Sequence, residues 1–352
     1  MWYRTIVSVI AFVSVAGCTT ADAPTAPATT AAVAVQHVGA VASPDTYGAM
    51  VAEQILARGG NAVDAAIATA FTLAVTYPEA GNIGGGGFMT IWYDGQPYYL
   101  DYRETAPLAA HRDMYLDETG EVIPDMSLVG VKASGVPGTV MGMWEAHQKF
   151  SQLPWHELLQ PAIYYAENGF EVSDKQAIYR SNLFEKLAAT TNFMDYFGTM
   201  QAGTVLVQEE LAATLKRIAE HGPADFYSGQ TAELLVAQME RDGGLITQDD
   251  LTSYRAKWRT PLVIDWHDYQ LVTAPLPSSG GIALAQLLGL KERLAEHFEG
   301  VEHNSPQYVH LIAEIEKRVF ADRADYLGDP EFVDVPQAQL LADSYLDRRA
   351  AE

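Results

Sequence analysis

Apolar positions along the chain recur at two different periods. In "PDTYGAMVAEQILARGG" (44–60), Val51, Ile55 and Leu56 fall at helical spacing. Pro44 and Asp45 stand at the start of that run and Gly59-Gly60 close it, so a helix is predicted between them. "NAVDAAIATAFTLAVTYPEAG" (61–81) is apolar at almost every position, with Asn61 placed to cap and Pro78 beyond the end. A helix apolar on all sides is a buried helix. Ahead of both, "VQHVGAVAS" from Val35 predicts a buried strand. After them, "FMTIWYD" and "PYYLDYRE" read as two strands joined by a Gly95-Gln96 turn.

Residues 137–260 read as mostly helical, in pieces such as "GTVMGMWEAHQKF", "WHELLQPAIYYAENGF", "QEELAATLKRIAEHG" and "SGQTAELLVAQMERDGG". "LVIDWHDYQLVTAP" returns to strand character, and "PLPSSGGIALAQLLGLKERL" turns back into helix. "SPQYVHLIAEIEKRVFADRADYLGDP" is long and amphipathic, opened by Ser305-Pro306 and closed by Gly328 and Pro330. No repeat or linker interrupts residues 35–352. Helices bracket strands at both ends, which predicts an α+β body with sheet layers covered by helices.

Four consecutive glycines, Gly84 to Gly87, stand between the buried helix and the first strand. A phosphate-binding loop needs Lys and Ser/Thr directly after its glycines, and here Phe88, Met89 and Thr90 follow. A dinucleotide fingerprint runs strand, glycines, helix, and this order is the reverse. The glycines are therefore expected to serve close backbone approach or positive φ.

Charge narrows the function classes. The 352 residues carry 22 Lys+Arg against 45 Asp+Glu, a net charge of −23. Such a surface repels nucleic-acid phosphates and anionic lipid, which argues against a nucleic-acid partner. It repels anionic small molecules too, so an anion pocket would need a dedicated cation. With 48% hydrophobic and 19% charged residues the chain is a packed globular protein.

The N-terminus reads as an export signal. "MWYRTIVSVIAFVSVAGC" gives a short basic region with Arg4 and an apolar region too short to span a membrane comfortably. Its end, "VAGC", resembles the lipobox of bacterial lipoproteins, which makes Cys18 a lipid-attachment candidate. The alternative is an ordinary signal peptide cut near Ala21 to Ala23. Residues 1–18 are thus read as signal, 19–34 as an Ala/Thr/Pro-rich tether, and 35–352 as the folded body. A periplasmic, membrane-anchored location is expected. Cys18 is the one cysteine, so no disulfide is expected in the body.

Candidate chemistry is sparse. The nine histidines show no closed metal-ligand spacing, and His310 with Glu314 fits a helix-surface pair. "ASGVPG" and "PSSGG" do not match the serine-hydrolase elbow and read as tight turns. Arg103, in the strand-like "LDYRETAP", is the more informative residue. Alternation would put Asp101, Arg103 and Thr105 on one face. Arg103 either pairs with a neighbouring carboxylate, Asp101 or Glu104, or offers its planar fork to a substrate carboxylate.

The run "GNAVDAAIATAFTLAVTYPEAGNIGGGGFM", followed by "DYRETAP", "ASGVPGTV", "PLPSSGG" and "ADRADYLGDP", resembles the γ-glutamyltranspeptidase (glutathione hydrolase) family. The motifs follow the family's order over residues 38–336. The resemblance implies the four-layer αββα sandwich of the N-terminal nucleophile hydrolases, made as a proenzyme that cuts itself into a large and a small subunit. Arg103 matches the family's arginine that binds the α-carboxylate of the γ-glutamyl group. Gly84 to Gly87 and residues 277–281 are read as scaffold.

The chain ends at "DSYLDRRAAE", before the point where the family's nucleophilic threonine would fall. No catalytic nucleophile is therefore expected within these residues, which correspond to the large-subunit part and are expected to be inactive alone. The implied reaction transfers a γ-glutamyl group from glutathione or a related compound to water or to an amino-acid or peptide amine, with the small subunit as partner. It needs no metal or organic cofactor. A related acylase (a cephalosporin acylase or a poly-γ-glutamate-cleaving enzyme) and a catalytically dead, surface-tethered fragment are the rival readings.

Overall fold

The computed structural model describes residues 39–188 and 191–352. Cys18, the signal-like segment and the tether lie outside the described residues, as do residues 35–38 of the expected first strand. The rest of that stretch, 39–43, is not a strand. Gly39 to Ala42 are exposed, with no strand beside them among the described residues, and apolar character without a pairing partner does not make a ladder.

The first two helices form as their end signals predict. In α1 (Thr46–Ala57) the Asp45 carboxylate accepts from the Gly48 N–H at 2.6 Å. In α2 (Ala62–Thr76) a reciprocal capping box closes between Asn61 and Asp64. Ile67, Ala68, Phe71 and Val75 of α2 are fully buried. Its buried threonines return their hydroxyls to carbonyls four residues back, Thr72 to Ala68 at 2.8 Å and Thr76 to Thr72 at 3.1 Å. The all-round apolar pattern thus yields the central helix of the core. Each fully buried large side chain there contributes roughly 1.5–3 kcal/mol.

β1 (Phe88–Tyr93) and β2 (Gln96–Asp101) form an antiparallel hairpin with Tyr93 opposite Gln96. Its turn residues are Asp94 and Gly95, at φ 50° and 72°, not Gly95-Gln96. Positive φ at both central positions is the turn whose twist matches a two-residue hairpin. Next come α3 (Thr139–Phe150), α4 (Trp155–Asn168), β3 (Phe170–Glu171), α5 (Asp174–Leu187), α6 (Phe193–Phe197) and β4 (Val205–Leu206). The helical run continues with α7 (Glu209–His221), α8 (Pro223–Ser228), α9 (Gln230–Asp242) and α10 (Gln248–Ser253).

β5 (Lys257–Arg259) then pairs with β2, setting Tyr99 opposite Arg259 and Asp101 opposite Lys257. The order β1-β2-β5 makes a three-stranded sheet, and β3 pairs with β4. The 262–275 run splits into a second hairpin, β6 (Leu262–Trp266) and β7 (Tyr269–Thr273). α11 (Gly280–Arg293), α12 (Ala295–Phe298), α13 (Pro306–Tyr326), α14 (Gln337–Leu340) and α15 (Asp343–Ala351) follow. Ser305 caps α13 through its hydroxyl at 3.2 Å from the Tyr308 N–H.

One large core runs through α1 to α4, α7 and the inner face of the β1–β2 hairpin. A smaller one joins Leu290, Ile315, Val319 and Leu346 of α11, α13 and α15. Residues 39–352 form one compact unit.

Candidate functional site

β2 ends at Asp101, so Arg103 lies just beyond the strand, and the predicted alternation does not continue through it. Asp101 is buried at 6% exposure, whereas the Arg103 side chain is 60% exposed. The reason is a change of partner. The backbone of Tyr102 exchanges two hydrogen bonds with Gly87, at 2.9 and 3.2 Å, and Thr105 then pairs with Val136 at 2.8 and 3.3 Å. Between those two ladders the chain turns.

Arg103 sits in that gap with both of its main-chain polar groups satisfied. Its N–H donates to Asp101 Oδ1 at 3.1 Å, and its carbonyl accepts from the Tyr254 hydroxyl at 2.9 Å. Asp101 Oδ2 accepts from Arg259 Nε at 2.7 Å, which ties β5 to the same point. Farther along, the Leu108 N–H donates to the buried carboxylate of Asp250 at 2.6 Å. The segment 101–108 is pinned at its backbone while the Arg103 guanidinium faces solvent.

The glycine run lies directly beneath this segment. None of Gly84 to Gly87 has a positive φ, and close backbone approach is what requires glycine at Gly86. A Cβ on Gly86 would collide with the Tyr102 carbonyl and lie 2.8 Å from the Glu104 nitrogen and 3.0 Å from the Arg103 carbonyl carbon. Gly85 offers its carbonyl to the N–H groups of Gly138 and Thr139, at 2.7 and 3.0 Å, at the start of α3. A phosphate loop would present N–H groups; this loop presents an acceptor to a helix N-terminus and is scaffold. Gly138 and Gly142 add to the packing, since side chains there would meet Tyr102 and, at Gly138, the Tyr254 hydroxyl.

Around Arg103 the charges are ordered. Its Nε lies 3.3 Å from Glu104 Oε2, and its guanidinium carbon lies 5.6 Å from the centre of the Phe88 ring. Of the two carboxylates expected to compete for it, Glu104 takes the guanidinium, and Asp101 takes only the main-chain N–H because its charge is matched by Arg259. An exposed neighbour pair of the Arg103–Glu104 kind is worth about 0–1 kcal/mol. A bidentate carboxylate arriving from solution therefore meets little competition.

Burial of Arg259 would by itself lower its pKa; hydrogen bonding and charge from Asp101, then from Glu331, outweigh this and raise it. The Tyr254 hydroxyl is pushed up by burial first and then by the charges of Asp101 and Glu104, so it stays a protonated donor. Tyr102 is raised to about 12 by burial.

Sequence reasoning found Arg103 but not Tyr254 or Arg259, which lie more than a hundred residues away and carry no local signal. Gly138 was within reach, as the last residue of the "ASGVPG" stretch. His310 stands on α13 one turn before Glu314, whose carboxylate pairs with Lys317 at 2.9 Å and Arg318 at 3.5 Å, a helix-surface cluster. Among the described residues no three His, Cys, Asp or Glu side chains converge as a metal site. In the 277–281 stretch, Ser279 accepts from Arg323 Nε at 3.0 Å, and a Cβ on Gly281 would strike the Ala274 carbonyl. That stretch is scaffold as well.

A sequence profile of the family described as gamma-glutamyltranspeptidase matches residues 48–352. The "Glutathione hydrolase proenzyme" of Pseudomonas aeruginosa is 66% identical over 314 residues, which cover 89% of this chain and 56% of that protein. The "Acylase ACY 1 proenzyme" of Pseudomonas sp. (strain V22) is 39% identical over 313 residues, covering 85% of this chain and 55% of that protein. Among solved structures, a γ-glutamyltranspeptidase from Pseudomonas nitroreducens complexed with L-DON is 66% identical and superposes with a TM-score of 0.88, covering 89% of this chain and 93% of that chain. The chain spans about half the length of the curated relatives it matches.

Proposed function

Because the chain belongs to the γ-glutamyltranspeptidase family and has the N-terminal nucleophile hydrolase fold of its large-subunit part, we propose that it supplies the donor-carboxylate site of a glutathione hydrolase. The nucleophilic threonine is supplied by the part of the relatives' length that this chain does not span. Its hydroxyl attacks the γ-carbonyl of the donor, and its proton passes to the threonine's own α-amine. The C–N bond breaks, and the departing amine takes that proton. Water or an acceptor amine then attacks the γ-glutamyl ester and frees the threonine. Arg103 holds the donor's α-carboxylate throughout, so that only a γ-linked glutamate presents its carbonyl at the right distance.

The observation that carries this reading is the state of Arg103 itself, a cation with a pinned backbone and a guanidinium 60% exposed, in a chain of net charge −23. The test is kcat/KM on a chromogenic γ-glutamyl anilide with the assembled two-part protein. Losing a charged hydrogen bond of roughly 1.5–3 kcal/mol lowers kcat/KM by about one to two decades in Arg103→Ala. Arg103→Lys restores only part of the loss, because an ammonium cannot make the fork. An unchanged kcat/KM in Arg103→Ala would sink the assignment.

The acylase relative supports a second reading, cleavage of an acyl amide other than a γ-glutamyl one. A higher kcat/KM on such an anilide than on the γ-glutamyl one would favour it. The "VAGC" ending supports export with a lipid on Cys18. Cys18→Ala should abolish labelling by a radioactive fatty acid and release the protein from membranes; labelling that persists would exclude Cys18 as the anchor.

A further inference from the structure

We propose that Tyr254, Asp101 and Arg259 act together as a positioning clamp that sets donor affinity by fixing the peptide of Arg103. The proposal rests on the donor-carboxylate reading of Arg103. Both main-chain hydrogen-bonding groups of Arg103 are taken by side chains, the N–H by Asp101 at 3.1 Å and the carbonyl by Tyr254 at 2.9 Å. Neither bond belongs to a helix or a strand, so regular structure does not hold Arg103 in place.

The clamp is itself fixed. Asp101 is held by Arg259 at 2.7 Å, and Arg259 is anchored again by Glu331 at 3.2 Å. The Tyr254 ring stacks on Tyr227 with centroids 5.7 Å apart and planes within 8°. A long arginine gains little from a rigid backbone unless its tip must reach one place, because its side chain has several rotatable bonds of its own. Fixing the peptide narrows the volume the guanidinium samples and lowers the ordering cost of gripping a carboxylate. Residues 254–259 thereby become part of the donor site although they do not touch the donor.

Tyr254→Phe is the cleanest probe, since it removes one hydroxyl and keeps the stacked ring. In the assembled enzyme it should raise the donor KM about fivefold, with kcat and acceptor KM within about twofold, the size expected for one net hydrogen bond. Asp101→Asn should do more, and because it also unpairs Arg259 its thermal midpoint must be read beside its kinetics. The deciding comparison places Tyr254→Phe in an Arg103→Ala background. A clamp acts through Arg103, so in that background the donor KM should move by less than about twofold.

If Arg103→Ala weakens donor use while Tyr254→Phe alone leaves the donor KM unchanged, the clamp is wrong and the Arg103 assignment survives. A fivefold rise that persists in the Arg103→Ala background would also overturn it, by showing a structural effect independent of the guanidinium. If Arg103→Ala itself changes nothing, both the donor-site reading and the clamp fall.

Discussion

Adding one methyl group to Gly86 tests whether the glycine run exists for close backbone approach. In Gly86→Ala the new Cβ would collide with the Tyr102 carbonyl, at 2.8 Å from the Glu104 nitrogen and 3.0 Å from the Arg103 carbonyl carbon. All three are main-chain atoms and cannot swing aside as a side chain would. The 102–104 backbone must retreat by about 1 Å at the Tyr102 carbonyl to restore ordinary contact. Its hydrogen bonds to Gly87, Asp101 and Tyr254, and those of the next residue, Thr105, to Val136, resist that movement. Overpacking of this kind costs typically about 1–3 kcal/mol, and the pinned neighbour puts Gly86→Ala near 2.

Two controls lie in the same run. A methyl group on Gly84 would have nothing within 4 Å, and its φ is not positive, so Gly84→Ala should be neutral or up to ~0.5 kcal/mol stabilising through the unfolded chain. Gly85→Ala meets the Asn82 side-chain amide at 2.5 Å, a group that can rotate away, and should stay within about 0.5 kcal/mol. Thermal unfolding followed by tryptophan fluorescence reads the series. The expected order is Gly84→Ala, Gly85→Ala, then Gly86→Ala lowest by roughly 4 °C or more. If Gly86→Ala melts together with Gly84→Ala, the convergence of backbones is not what requires glycine there.

Two further substitutions probe the scaffold. Asp64 is fully buried, and its carboxylate accepts from the N–H groups of Asn61 at 2.8 Å, Gln152 at 3.1 Å and Leu153 at 3.3 Å. Asp64→Ala leaves those donors without an acceptor and should cost about 3 kcal/mol, with Asp64→Asn losing less; a thermal midpoint within a degree of the parent would refute this. Tyr102 is raised from 10.0 to about 12 by burial, so its neutral form is favoured in the folded state. Its contribution, about 3 kcal/mol, is complete below pH 10 and is lost as pH rises through 12. Tyr102→Phe should therefore make the alkaline loss of stability shallower by one proton's worth of slope in denaturant titrations at successive pH values. Tyr99, Tyr227 and Tyr254, shifted in the same direction, keep the remainder. An unchanged slope would show that the Tyr102 hydroxyl is not held neutral by burial.

What could be read from the sequence follows from how far apart the interacting groups lie along it. Asp45, Asn61 and Ser305 each bond an N–H two or three residues ahead, so the helix starts they cap were legible. The hairpin was legible too, although its turn falls one residue earlier than read, because Asp94 adopts the positive φ that Gly95 alone advertised. Strand character failed where pairing failed, at residues 39–43 and again at Arg103, since a ladder depends on a partner that periodicity does not reveal.

The site divides along the same line. Arg103 stood out as a cation in an acidic chain, but the groups that hold it, Tyr254 and Arg259, are brought in from more than a hundred residues away. The glycines join the two scales. Three stretches meet around Tyr102: 84–87, 102–104, and 137–142 at the start of α3. The first and third give up side chains where they face the second, at Gly86, Gly138 and Gly142, and what fills the space is the Tyr102 backbone and ring. A single glycine in the sequence is ambiguous between turn, flexibility and close approach. Three glycines from two distant segments, each blocked by the same Tyr102, leave close approach as the reading that accounts for all of them.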